Sequence, residues 1–303
     1  MVSGAINRLD GMLQAHRRWL DKAPGGIRLV LDGETLADFR MEGALVRQAV
    51  FRAVTFLEAE LAGADFSGAE LTSCDFRKAT LTAADFSGAQ ITGVNFGLAW
   101  MEGVSLSEAK LLRTSFGKAN LQRARMLEIH GTECDFTSAR LSEAALNQCD
   151  LASCDFSSAE LTRARLIHGR FRDCRFRNAT LDLADLTQAR LLDCDFRSAS
   201  LEDSRFSRAD LTRSQFPHAS LQSANLSDAQ LAAADFFGSD LSNASFAEAR
   251  FMNTGFLRAN LSGARFLTPK QLGLSRTDFD TTLPNGAKGP YAKGSGAERP
   301  GRR

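Results

Sequence analysis

From Leu31 to Phe266 a large apolar residue stands at every fifth position, with one exception at Gly131. The series opens Leu31, Leu36, Met41, Val46, Phe51 and closes Phe251, Phe256, Leu261, Phe266. A second series lies two residues earlier, Ala59, Ala64, Ala69, Cys74, Ala79 and on to Ala264, and is nearly all Ala. A period of five fits neither the helical 3.6 nor the strand 2.0, so the chain is a repeat and must be read as one. Two inward positions in five leave three facing water, and those are polar, as at Ser67–Gly68 and Arg77–Lys78. A chain that turns after every five residues closes into a coil, and coils stack through parallel backbone hydrogen bonds.

The aromatic residues give the number of sides. Phe recurs every twenty residues at Phe56, Phe76, Phe96, Phe116, Phe136, Phe156, Phe176, Phe196, Phe216, Phe236 and Phe256. Four pentapeptides therefore make one coil, one wall is a Phe ladder, and the register predicts about twelve coils. Stacked side chains would bury a continuous core that no single repeat can bury alone.

The runs Ala64-Asp65-Phe66-Ser67-Gly68, Ala119-Asn120-Leu121-Gln122-Arg123 and Ala209-Asp210-Leu211-Thr212-Arg213 resemble the A(D/N)LXX unit of pentapeptide repeat proteins. The resemblance covers about residues 27–266. It implies an all-β fold, the right-handed quadrilateral parallel β-helix, and no single activity: that family includes topoisomerase-binding proteins, secreted effectors and members without a known role.

Both ends of such a solenoid need caps, because an open coil exposes strand edges and core. Residues 6–21 place Ile6, Leu9, Met12, Leu13 and Trp19–Leu20 at helical spacing, which predicts an amphipathic capping helix ended by Pro24-Gly25-Gly26. The phrase His16-Arg17-Arg18-Trp19-Leu20 looks like a leader helix of the same family. Thr268 followed by Pro269 reads as an N-cap and first helical position, predicting a short helix over about 269–274, with Phe279 and Leu283 as further apolar contacts. The expected organisation is a capping helix and entry turn at 1–26, the β-helix at 27–266, a C-terminal cap at 267–284 and a disordered basic tail at 285–303.

Charge and chemistry narrow the function classes. With 37 basic and 36 acidic residues the net charge is +1, so no global field selects nucleic acid. Acidic stretches at 51–110 and 216–249 contrast with a basic end at 250–303. The six cysteines, Cys74, Cys134, Cys149, Cys154, Cys174 and Cys194, all fall in the small inward series. Buried substitutes for Ala explain them better than a disulfide framework or a metal site, and thiols in a core point to a reducing, cytoplasmic setting. No exporter segment and no membrane span are expected. The four histidines, His16, His130, His168 and His218, are read as solvated and far apart. Asp65, Asp75, Asp85, Asn95, Asp155 and Asp195, each just before a central residue, are read as local turn acceptors rather than a calcium ladder. No enzyme activity, cofactor or metal is expected.

Candidate binding features remain. Leu98 and Trp100 flank inward Ala99 and should point outward; Phe237 and Leu257 should stack one coil apart, with Met252 near the next corner. At Ile129-His130-Gly131 bulk has moved from the central to the small position, so a bend or recess is a candidate irregularity. The first function expected is a rigid, non-catalytic rod acting as a protein-interaction scaffold with a protein partner. One alternative is a DNA-mimicking modulator of a type II topoisomerase such as DNA gyrase. Duplex DNA carries a charge per ~1.7 Å, so a mimic on the order of 55 Å long needs about thirty excess negatives, against the net charge here. A second alternative is an accessory or effector protein of a bacterial secretion system. A homodimer through an end cap is left open.

Overall fold

A computed structural model describes residues 2–301, with side chains from Arg8 onward; Met1, Arg302, Arg303 and the side chain of Ile6, all part of the expected termini, lie outside the described residues. The chain divides into two compact units, Met1–Asp135 and Phe136–Arg303. Each is a stack of coils of a quadrilateral parallel β-helix. In the first unit, strands β1 (Val30–Asp32), β2 (Val50–Arg52), β3 (Glu70–Thr72), β4 (Gln90–Thr92), β5 (Lys110–Leu112) and β6 (His130–Thr132) pair in parallel, each offset by one coil, as in Leu31↔Phe51 and Phe51↔Leu71. In the second unit β7 (Asp150–Ala152), β8 (Arg170–Arg172) and β9 (Arg190–Leu192) continue the same pattern among themselves. Within each unit the strands form one face; the other three faces pair through single bridges, in the first unit Thr55↔Asp75, Glu60↔Thr80 and Asp65↔Asp85 among them.

Both inward series are buried. Phe56, Phe76, Phe96 and Phe116 are wholly covered in the first unit, as are Phe136 to Phe256 of the ladder in the second. Their rings stack at 4.4 Å (Phe56–Phe76), 5.0 Å (Phe76–Phe96) and 4.6 Å (Phe136–Phe156), nearly parallel because the backbone holds them one strand spacing apart. In the first unit a second aromatic wall faces this ladder, and Phe66 meets Phe76 edge-on at 5.8 Å.

The corners explain the small series. After the second, third and fourth faces, the N–H of the small residue donates to the central carbonyl three residues back: Ala59 to Phe56 (3.1 Å), Ala64 to Leu61 (3.1 Å), Ala69 to Phe66 (3.0 Å). After the strand-bearing face no such bond closes the corner from β2 to β5 or at β8 and β9, among the described residues. The small position there holds Val54, Cys74, Val94, Thr114, Cys174 and Cys194 rather than Ala. Several of these side chains donate to a strand carbonyl of the preceding coil: Cys74 Sγ to Phe51 O (3.5 Å), Thr114 Oγ1 to Ile91 O (3.3 Å), Cys174 Sγ to Leu151 O (3.5 Å). At Leu211 and Leu231 the turn bond returns, from Ser214 (3.0 Å) and Ala234 (3.1 Å), and regular strand ends.

The N-terminal helix α1 runs Val2–Leu20, with Leu9 buried. The chain then doubles back so closely that a side chain at Gly26 would run into the backbone of Trp19. The C-terminal helix α2, Pro269–Gly273, has the expected cap: Thr268 Oγ1 accepts from Gln271 N–H, and Gln271 Oε1 accepts from Thr268 N–H. Two expectations at this end are corrected. Phe266, the last member of the fivefold series, adopts φ 62° and is 63% exposed, because the chain leaves the coil there and Leu267 turns inward instead. Phe279 is 83% exposed, whereas Leu283 is buried. Residues 285–301, which composition reads as unpacked, fold back on the cap: Leu283 N–H donates to Ala287 O (2.8 Å), Asn285 N–H to Ala297 O (3.3 Å) and Tyr291 N–H to Thr277 Oγ1 (2.9 Å). Ala297 is buried there.

Candidate interaction surface

In the first unit, Leu98 and Trp100 straddle the corner between the Phe-ladder face and the next. Ala99 between them is buried, while Leu98 is 50% and Trp100 58% exposed. The backbone beneath is fixed by both neighbouring coils. Trp100 N–H donates to Ala79 O (2.9 Å), and its carbonyl accepts from Leu81 N–H (2.6 Å). Leu98 sits in the left-handed region (φ 61°) with its N–H on Gly117 O (3.0 Å). Gly97 and Gly117 leave the surface beside Leu98 low. Gly97 N–H donates to Asn95 Oδ1 (2.8 Å), and an added Cβ would lie 2.9 Å from that oxygen. Lys78 flanks Leu98 on the same corner one coil earlier and is paired with Glu58 (2.7 Å). The two apolar side chains thus project from a rigid, mostly polar corner.

The second candidate set is arranged differently. Phe237 is half-buried, with the edge of His218 at 5.4 Å and the Arg258 guanidinium over its ring at 5.4 Å. Leu257 lies beside it in the ladder, its carbonyl accepting from Gly238 N–H (2.9 Å), and is also half-buried. Met252 is 66% exposed but belongs to a different corner. Phe237 and Leu257 thus lie side by side one coil apart with Met252 at another corner, but Phe237 is too covered to project as an anchor.

At Ile129-His130-Gly131, β6 keeps its register on β5, with Leu111↔Gly131 paired. Ile129 is fully buried and His130 points to solvent. The exchange of bulk is absorbed inside the coil.

The polar repeat positions serve the turns. Asp65 Oδ1 accepts from Ser67 N–H (2.9 Å), Asp85 from Ser87 (2.8 Å), Asn95 from Gly97 (2.8 Å) and Asp155 from Ser157 (2.8 Å). Arg77 hydrogen-bonds Asp75 and holds its carboxyl below the usual range, as Arg213 does for Asp193. All six cysteines are buried. Burial pushes the Cys149 thiol far up. Cys174 exchanges hydrogen bonds with the thiols above and below it: that with Cys154 lowers its pKa, while that with Cys194 and burial outweigh it, and the thiol is pushed up to about 12. Among the described residues no group of three or more His, Cys, Asp or Glu is arranged to hold a metal ion.

His16 is not solvated but fully buried, with Nδ1 accepting from Leu29 N–H (2.9 Å) and Nε2 3.0 Å from Arg47 O, so Nε2 carries the proton. Trp19 stacks on it at 5.5 Å. It ties α1 to the first coils. Helical spacing put His16 beside Arg17 and Arg18 and gave no sign of two waiting backbone partners.

Comparisons with known proteins follow the repeat. The family model for pentapeptide repeats matches in eight copies, over residues 59–97, 134–173, 159–197, 189–228 and 229–266. Among solved structures, a trypsin-treated variant of QnrB1, a plasmid-mediated fluoroquinolone resistance protein, is 18% identical over 62% of this chain and 89% of its own, with a TM-score of 0.38. HetL, involved in heterocyst differentiation regulation in the cyanobacterium Nostoc sp. strain PCC 7120, is 22% identical over 90% and 96%, with a TM-score of 0.25. A thylakoid-lumen protein of Arabidopsis thaliana is 29% identical over 33% and 67%, with a TM-score of 0.23. Among curated proteins, none matches this chain.

Proposed function

Because this chain belongs to the pentapeptide repeat family, we propose that it is a non-catalytic scaffold that binds a partner protein through the Leu98–Trp100 corner of its first unit. The observation that carries the reading is a Trp more than half exposed on a backbone pinned from both sides. A large aromatic that needs no ordering before it is buried is the usual anchor of a protein interface. The repeat itself supports a scaffold role rather than catalysis, since its polar side chains are spent on turns and on ion pairs between coils. Six thiols buried in the core fit a reducing cytoplasmic setting. No helix is long and apolar enough to cross a membrane, among the described residues. The near-zero net charge gives a DNA-mimicking role no support.

A photo-crosslinking amino acid at position 100 tests this in the cells that make the protein. The reading requires a discrete crosslinked product from position 100 and none from a control at Ser157. Equal products from both positions, or none from either, would remove this corner as the binding site.

A further inference from the structure

The C-terminal cap takes over the hydrogen-bond ladder of the last coil except at one corner. In the inner coils of the second unit, the N–H of a central residue and that of the residue two past the preceding central one donate to the following coil. Leu231 N–H thus donates to Arg250 O (2.9 Å) and Asp228 N–H to Ala247 O (2.7 Å). The cap supplies substitutes along most of the final coil: Leu274 O for Asn253 N–H (3.1 Å), Arg276 O for Phe256 (2.8 Å), Asp278 Oδ1 for Arg258 (3.0 Å), Thr282 O for Leu261 (2.8 Å) and Pro284 O for Gly263 (2.9 Å).

At the corner 246–251 the pattern stops, because the chain turns Phe266 outward and starts α2. Gln271 Nε2 satisfies the acceptors there, donating to Phe246 O (3.2 Å) and Ala249 O (2.9 Å). The two ladder donors, Glu248 N–H and Phe251 N–H, have no hydrogen-bond partner among the described residues. Both residues line an open concavity of about 630 Å³, together with Phe266 and Leu274, which are 63% and 49% exposed. Arg250 and Lys270 also line it, two cations against the single carboxylate of Glu248, and neither cation is in an ion pair among the described residues.

We propose that this corner docks an extended segment of a partner protein that adds one more edge to the coil. An unpaired edge is a template for strand addition. Asp228 and Leu231 are received by carbonyls at 247 and 250, so the incoming segment must offer two carbonyls three residues apart, bent once like a pentapeptide corner. Phe266 and Leu274 select an apolar side chain, and the two free cations select a carboxylate beside it. The site is independent of the Leu98–Trp100 corner.

The test uses the full-length protein and a synthetic array of decapeptides that varies one apolar and one acidic position around a central turn. Peptides carrying both features should be retained and should slow amide exchange at Glu248 and Phe251, which exchange fast without peptide. An Arg250→Glu/Lys270→Glu variant with unchanged Tm should bind them about tenfold more weakly. Retention of no peptide, equal retention by the variant, or unchanged exchange at the two amides overturns the proposal. Protection that appears with rising protein concentration alone would show a second copy on the edge, and would overturn it too.

Discussion

Gly169 and Phe171 fill the two inward positions of one pentapeptide, and the space for the ring is the side chain that Gly169 lacks. A Cβ at Gly169 would lie 2.7 Å from Phe171 Cε2, 3.0 Å from Leu166 O and 3.2 Å from Cys149 Sγ. The same exchange, reversed, places Ile129 beside Gly131 in the first unit. In these two pentapeptides bulk is traded between the two inward positions. Gly169→Ala should therefore cost roughly 1–3 kcal/mol by overpacking. Adding Phe171→Leu should recover part of that, since Ala189 with Leu191 is already a working pair. Denaturant titration of the double-mutant cycle checks this, and additive costs would refute the coupling.

Core and face positions should separate by stability. Phe156→Ala deletes a ring stacked at 4.6 Å on Phe136 and 4.9 Å on Phe176, and should cost about 3–5 kcal/mol. Ser157→Ala, an outward hydroxyl, should stay within about 0.5 kcal/mol. Thermal melts of the two variants are a direct comparison, and equal Tm values would contradict the inward assignment.

Stability should fall on mild acidification through His16. Burial, the largest cause, lowers its pKa in the fold, and the nearby Arg28 and Arg47 cations add to this against the raising bond to Arg47 O. The unfolded chain then binds a proton that the folded one refuses. The contribution is complete above the ordinary value of 6.5 and is lost as pH falls below it. Protonated Nδ1 can no longer accept from Leu29 N–H, so α1 should loosen first. Melting curves of wild type and His16→Gln between pH 7.5 and about 5 should converge as pH falls; parallel curves would exclude the lock.

The thiols should be inert. Burial at Cys149 and the stacked thiols at Cys174 keep the thiolate fraction negligible near neutral pH. Thiol reagent should label native protein slowly and reach all six cysteines only on unfolding. Cys149→Ala/Cys154→Ala should keep the fold. Fast labelling of one cysteine in folded protein would show a reactive site.

The repeat period, the four faces and the Phe ladder were legible because each inward position obeys one rule, and the Asx acceptors because their bonds are local. The corner types were not. Val54, Cys74 and Thr114 looked like variants of Ala, whereas they mark an open turn. That distinction depends on the preceding coil, twenty residues away. Left-handed corners at Glu58, Lys78 and Arg123 (φ 57°, 59° and 56°) were also hidden, since glycine is the usual signal there. The ladder bonds tolerate the strain, as when Glu58 N–H donates to Arg77 O (3.0 Å). Exposure of Leu98 and Trp100 followed from phase alone. Partial cover of Phe237 did not, because His218 and Arg258 reach it from neighbouring coils.

The binding role of the Leu98–Trp100 corner is tested most directly by affinity capture with wild type and a Leu98→Ser/Trp100→Ala variant, compared by quantitative mass spectrometry. Both side chains are exposed, so the variant should keep its Tm. The account predicts a specific partner retained by wild type and lost by the variant. Identical sets of captured proteins from the two would contradict it.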